Sequence, residues 1–275
     1  MRADTNHAPC PFCLSPRRHA LSTPYARCGG CGSVLQWPLP SADRIESYYE
    51  SYLDAKGAMN PGYLDEASCA ALARERDLTL SEIGFPADRI ARGRNVELGC
   101  ANGLFVRYLV GRGSVSTLGL DVSESLLAAA RALPGVGEAT FLRGSLEAAA
   151  DGSCDNLFMF NVIEHSPDVA GLVARAFRVL VRGGLAVVET PVAGLVSRAF
   201  GPSWRHLMPD EHLAIPSARA LYALFSRNGF RPLGSTRFGC GLSAGSAPRA
   251  AKAALDALAK RFGFGDRLCA LFERT

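Results

Sequence analysis

Short continuous apolar runs alternate along this chain with stretches whose apolar residues recur at helical spacing, the pattern of strands alternating with amphipathic helices. Residues 95–98 read as a buried strand. They break into the turn Gly99-Cys100-Ala101-Asn102-Gly103, and 104–110 read as a helix. A second strand ends at Asp121, Ser123 caps a helix to about residue 133, and 140–142 form a third strand. The run 155–160 is apolar on both faces, which predicts a central strand. Ser166 and Pro167 suit N-cap and N1 of the next helix, where Val169, Leu172, Val173, Ala176, Phe177 and Leu180 share one face. Gly183-Gly184 ends it, and 185–191 form a fifth strand. After a stretch of weak period, 191–216, Ser217 caps a helix to 228. A strand over 230–238, a loop over 239–246, a helix over 247–262 and a strand over 266–272 complete the chain. This order predicts an α/β fold with a doubly wound, mostly parallel, Rossmann-like sheet.

Upstream the pattern is different. Cys10-Pro11-Phe12-Cys13 and Cys28-Gly29-Gly30-Cys31 are two Cys-x-x-Cys knuckles. Each sets two thiols on one side of a tight turn, so together they supply four soft ligands for a closed tetrahedral ion, zinc or iron. Doubling of the motif argues against a redox pair, and His7 and His19 fit neither knuckle. A structural ion would stand in for a core that so short a segment cannot build. Residues 34–40 close this zinc ribbon. Ser41 then caps a helix over 42–55 carrying Tyr48, Tyr49 and Tyr52. Its tyrosine face either packs on the main domain or acts as a lid near a ligand. A breaker-rich loop, 56–62, and a helix over 64–83 follow. The expected organisation is a ribbon (1–40), a helical linker or lid (41–90) and a main domain (91–275) with the insert 191–216.

Ligands of such sheets bind at the carboxyl ends of the strands, which gathers Gly99, Asp121, Asn161, His165 and Thr190 around one mouth. Strand, small-residue turn and helix start make a nucleotide site, and Asp121 stands where an acid accepts hydrogen bonds from a ribose. The turn lacks the Gly-x-Gly-x-x-Gly spacing of dinucleotide sites. It resembles motif I of the class I S-adenosylmethionine (SAM) methyltransferases: Glu97, Gly99 and Gly103 match, with Ala101 in place of the middle glycine. The resemblance runs through Asn161-Val162-Ile163-Glu164-His165 and Arg182-Gly183-Gly184-Leu185, over roughly residues 94–238. It implies a seven-stranded sheet with an antiparallel edge and SAM contacts from Glu97, Gly99, Cys100, Ala101, Gly103, Asp121 and Asn161, with Ser145 and Leu146 near the adenine. The ribbon and its tyrosines look like those of a subset acting on sugars or natural-product intermediates. Glu211-His212-Leu213 followed by Ser217 resembles the Glu-His-Leu-x-x-x-Ser stretch of sugar C-methyltransferases, without the tyrosine that often precedes it.

A neutral histidine suits proton removal near pH 7. The candidates are His212, with Glu211 or Asp210 orienting it, and then His165; His206 sits beside Trp204 and Arg205 as a substrate contact. Composition narrows the partners. With 275 residues, 48% of them hydrophobic, the chain can bury a sizeable core. The net charge of +4, from 30 basic and 26 acidic residues, demands neither nucleic acid nor an anionic membrane. No run is long enough to span a bilayer, the N-terminus does not resemble a signal peptide, and nine cysteines, four of them in metal spacing, suit a reducing, cytoplasmic setting. The expected acceptor is a small molecule, methylated on O or C. A zinc-ribbon RNA-modifying methyltransferase and a non-enzymatic SAM-binding protein are the alternatives. The absence of the amino-methylating signature Asp/Asn/Ser-Pro-Pro-Tyr/Phe argues against nucleic acid.

Overall fold

The cysteine knuckles bracket a hairpin, β1 (Arg18–Ser22) and β2 (Tyr25–Cys28), followed by β3 (Val34–Gln36). The computed structural model describes residues 9–52, 66–242 and 248–275. Helices α1 (Ala42–Tyr52), α2 (Glu66–Glu82) and α3 (Asp88–Arg92) lead to β4 (Asn95–Leu98). Next come α4 (Leu104–Gly111), β5 (Thr117–Asp121), α5 (Glu124–Ala132), β6 (Thr140–Arg143) and β7 (Cys154–Phe160). They are followed by α6 (Val169–Val179), β8 (Leu180–Pro191), α7 (Leu195–Phe200) and β9 (Ala214–Ile215). The chain closes with α8 (Ala218–Arg227), β10 (Phe230–Phe238), α9 (Arg249–Arg261) and β11 (Arg267–Arg274). The side chain of Tyr52, the expected helix end over 53–55, the loop 56–62 and residues 243–246 of the later loop lie outside the described residues.

The main sheet has the order β10-β11-β8-β7-β4-β5-β6. Strands β4 to β8 pair in parallel, and β11 runs antiparallel to both β8 and β10. β7 is central, as its two-faced apolar run predicts, and Leu157, Phe158 and Met159 are fully buried. Leu98 lies level with Leu120 on one side and Met159 on the other, and Asp121 lies level with Arg143. The carboxyl ends are therefore flush, and the turns after them gather along one edge. One face packs on Val173 and Ala176 of α6 and Leu221 and Phe225 of α8. The other packs on Leu80 of α2 and Phe105 and Leu109 of α4. Among the described residues, no helix is long and apolar enough to cross a membrane.

Two boundaries differ from the sequence reading. The cap of α6 is Asp168, whose Oδ1 accepts from Gly171 N at 2.8 Å, because a 3-10 turn over Ile163–His165 delays the helix past Ser166 and Pro167. α6 ends at Val179, and Gly183-Gly184 lie inside β8, where the register against β7 shifts.

The stretch 191–216 is more structured than its weak period suggests. It holds α7 and β9, and β9 pairs antiparallel with β3, Val34 against Ile215 and Leu35 against Ala214. The insert is thus the fourth strand of the ribbon's sheet, β1-β2-β3-β9. The ribbon is tied to the main core elsewhere too. Phe12 is fully buried in the cluster that includes α8, a burial worth roughly 2 kcal/mol. Arg227 of α8 donates to the Phe12 and Pro11 carbonyls at 2.6 and 3.2 Å.

Candidate active site and four-cysteine centre

The turn after β4 is shaped by backbone that only small residues adopt easily. Gly99 has φ +74°, and a Cβ there would stand 2.8 Å from Val162 Cγ2. Ala101 holds φ +45° and donates its N–H to Asp121 Oδ2 at 2.9 Å, while Ser123 N–H donates to Oδ1 at 2.9 Å. Asp121 therefore fastens two turns. Burial pushes its carboxyl up, and the two N–H groups pull against that shift.

Above this turn opens a cleft of about 2190 Å3. Typical ligand pockets hold ~300–1,000 Å3, so it has room for a cofactor and an acceptor together. Gly99, Ala101, Asp121, Ser145 and Asn161 line one part of it, and His165, His206, Glu211 and His212 another. Cys100, Gly103, Leu146 and Glu97 stand behind the wall. The Cys100 side chain packs in an apolar cluster with Val106 and Leu127, and its N–H goes to Leu120 O, so neither faces the cleft. Leu146 is fully buried under α6.

Glu97 is buried beneath the turn, and its Oε2 has no hydrogen-bond partner among the described residues. Burial pushes its carboxyl up to about 8, reinforced by Asp121 and opposed by Arg76. A buried acid that keeps its proton stabilises the fold fully below the ordinary carboxylate range, and this contribution is lost as pH rises towards 8. Glu97→Gln is expected to flatten the fall in melting temperature between pH 5 and pH 8. An unchanged slope would mean that Glu97 is ionised in the native state.

The histidine end is built by the insert and by the turn after β7. His212 is buried, and its Nδ1 lies 2.8 Å from His206 O. His165 Nδ1 lies 2.8 Å from Glu211 O, and the two rings are 4.9 Å apart, edge to face. A carbonyl at Nδ1 makes that nitrogen the proton carrier and Nε2 the acceptor. Burial, with His165 nearby, holds the His212 imidazolium down at about 3, so His212 is neutral at pH 7. The group at Nδ1 of His212 is a main-chain carbonyl, where Glu211 or Asp210 was the expected orienting residue. His206 O occupies Nδ1 of His212. Glu211 Oε2 accepts from Tyr48 OH at 2.6 Å, and Asp210 accepts from Arg44 at 2.6 Å and Gln36 at 3.1 Å. These bonds bring α1 to the cleft: Tyr49 lies 6.4 Å from the His165 ring, and Ser41, Ile45 and Tyr49 line the wall. His206 leans towards Asp266, which also accepts from Trp204 Nε1 at 3.1 Å and from Arg205.

One residue that the sequence reading did not single out lies below this pair. Glu164 is fully buried, with Oε2 accepting from Thr190 Oγ1 at 2.9 Å and Oε1 without a hydrogen-bond partner. Its position inside Asn-Val-Ile-Glu-His, between a central strand and a histidine, was the available signal.

The four cysteines lie together, with Cys10 Sγ 3.7 Å from Cys31 Sγ and Cys13 Sγ 3.5 Å from Cys28 Sγ. Tetrahedral Zn–S bonds of ~2.3 Å set the sulfurs ~3.8 Å apart, so the spacing fits such an ion and far exceeds a disulfide bond. Their closeness pulls the pKa values of the two thiols apart, Cys10 upward and Cys31 down to about 4.

A methyltransferase-domain family model matches residues 69–234 of the 275. No curated protein matches the chain. Among solved structures, a chain from the Haloferax volcanii complex of the Trm112 methyltransferase activator is 17% identical over 86% of this chain and 99% of that one, with a TM-score of 0.58. A SAM-dependent methyltransferase of Thermotoga maritima is 17% identical over 82% and 100%, with a TM-score of 0.54. One from Mesorhizobium loti is 22% identical over 66% and 91%, with a TM-score of 0.51. At these identities the likeness is one of fold.

Proposed function

Because the chain belongs to the methyltransferase-domain family and is a class I SAM-dependent methyltransferase, we propose that it methylates an oxygen or carbon acid of a small molecule, with histidine assistance. The observation that carries this reading is that the motif I turn and the His165–His212 pair open into one cleft. SAM supplies an electrophilic methyl group on a sulfonium. The chain must hold the acceptor in line with it and help remove the acceptor's proton. In the transfer, the acceptor's O–C or C–C bond forms as the methyl–sulfur bond breaks. The electron pair stays on sulfur, and one proton leaves the acceptor. Neutral His212 is the proposed group at that proton. Gly99, Ala101, Asp121, Ser145 and Asn161 are the proposed cofactor contacts on the cleft wall, and Cys10, Cys13, Cys28 and Cys31 the ligands of a structural zinc.

RNA is the less supported acceptor. Of the ribbon's described arginines Arg17 is exposed, while Arg18 lies over the Trp37 ring at 3.5 Å and Arg27 donates to Gly32 O at 3.2 Å. The latter two are drawn into the protein rather than presented as a phosphate footprint.

The test is calorimetric binding of S-adenosylhomocysteine (SAH) to wild type and Asp121→Ala. Micromolar binding, weakened tenfold or more in the variant, a loss of ~1.4 kcal/mol, supports the reading. Absence of binding to folded wild type would overturn it.

A further inference from the structure

We propose that Glu164, His165 and His212 form a second metal site, separate from the four cysteines, that takes a divalent first-row transition ion and presents it to the oxygen of the acceptor. The inference rests on the methyl-transfer reading for its acceptor, and on the local geometry for the ion.

One ligand atom from each of the three residues lies within 4.8 Å of the others. Donors around a tetrahedral ion with ~2.0–2.1 Å bonds stand ~3.3 Å apart, so closure needs side-chain shifts on the order of 1 Å. His165 Nε2 is 3.8 Å from Glu164 Oε1, beyond hydrogen-bond reach, so the two are not a hydrogen-bonded dyad. Oε1 is instead a fully buried carboxyl oxygen without a hydrogen-bond partner among the described residues, close to both imidazoles. Burial pushes the Glu164 carboxyl up to about 8, so a proton holds this oxygen when no ion is bound, and a cation brought between the imidazoles would displace that proton.

The supporting contacts are those of a metal site. Each imidazole is oriented by a main-chain carbonyl at Nδ1, Glu211 O for His165 and His206 O for His212, and so turns Nε2 inward as the acceptor nitrogen. Thr190 Oγ1 fixes the other carboxylate oxygen. Arg267 is ion-paired with Glu189, and its charge only partly offsets the burial of Glu164. Two imidazoles and a carboxylate favour zinc, cobalt, iron or manganese over calcium, whereas the cysteine cluster is the softer set.

His165 and His212 both line the cleft, so coordination positions remain on its open side for an oxygen of the acceptor. The fitting substrate class is then an alcohol, enol or phenol rather than an amine. Coordination would lower the pKa of its O–H and the proton would pass to water; the oxygen's electron pair would then form the O–C bond as the methyl–sulfur bond breaks, its pair staying on sulfur. In this arrangement His212 assists through the ion instead of taking the proton itself.

The experiment is Co2+ titration of the full-length protein with its four-cysteine site already loaded with zinc. Calorimetry and visible absorption are read together. One further equivalent, bound at micromolar Kd without thiolate-to-cobalt charge transfer, is expected. Glu164→Gln and His165→Ala should each weaken it tenfold or more while SAH affinity changes less than threefold. The SAH measurement also establishes that both variants are folded. No Co2+ binding beyond the cysteine site in wild type, or binding unaffected by either variant, would overturn the site. Co2+ binding with loss of SAH binding in wild type would strike the methyl-transfer reading and leave the metal site standing.

Discussion

His212→Ala is expected to lower kcat by about 10²–10⁴-fold, the usual contribution of a positioned acid–base group, while SAH affinity stays within threefold. His212 is held by His206 O on one side and packs 4.9 Å from His165 on the other, so its ring is held in one orientation at the cleft wall. The hydrogen bonds that support the motif I turn run to Leu120 and Asp121 of β5. The loss should therefore fall on turnover and not on cofactor binding. With its imidazolium at about 3, the wild type should show no acid limb from His212 between pH 5 and pH 7. Full activity in His212→Ala would remove it from the mechanism, whether as base or as ligand.

The second large effect is expected at a distance from the cleft. Removing the ion proposed at Cys10, Cys13, Cys28 and Cys31, by chelation or by Cys31→Ser, should cost at least a hundredfold in turnover and less than threefold in SAH affinity. Structural zinc can supply on the order of 10 kcal/mol of folding free energy to a small module. Under the proposed reading, the same energy would support the wall that carries Glu211 and His212. Ser217 Oγ donates to Cys31 O at 2.8 Å, and Ser217 N donates to Ser33 Oγ at 2.9 Å. Gln36 Nε2 donates to Asp210, and Tyr25 OH donates to His212 O at 3.1 Å. A ribbon that loosens releases the segment carrying Glu211 and His212. The turn at Gly99 keeps its own support from Leu120 and Asp121. Measuring turnover and SAH binding on the same metal-free sample checks this, and unchanged turnover would mean that the joint is not needed.

The parts legible in the sequence are those whose signal is local. β4, β5 and β7 announce themselves as apolar runs, the turn between β4 and α4 by its small residues, and the four cysteines by their spacing. Asp121 could be placed because the strand that ends on it is short and regular. What was not legible depends on partners distant in the chain. β9 is two residues long and is a strand only because β3 lies beside it. The group orienting His212 is a main-chain carbonyl, and no side chain marks it. Glu211 next to His212 suggested an acid–base pair, but the fold turns its carboxylate to Tyr48 of α1. Cys100 lies in the motif yet packs into the helix side of the sheet, since alternate positions leaving a strand face opposite ways.

The union of β3 with β9 also bears on the order in which the molecule can assemble. The bond from Ser217 N to Ser33 Oγ closes a span of 184 residues, whereas Ala101 and Asp121 are 20 apart. Loop closure makes the long-range joint the later and slower event, and the short parallel pairing of β4 with β5 the earlier one. A nascent or partly unfolded chain can therefore hold a finished cofactor turn while its acceptor wall is still unmade. Such a chain could take up SAM without the surface that uses it, and competence for transfer would be acquired last, when the first strands of the ribbon meet the last strand of their sheet.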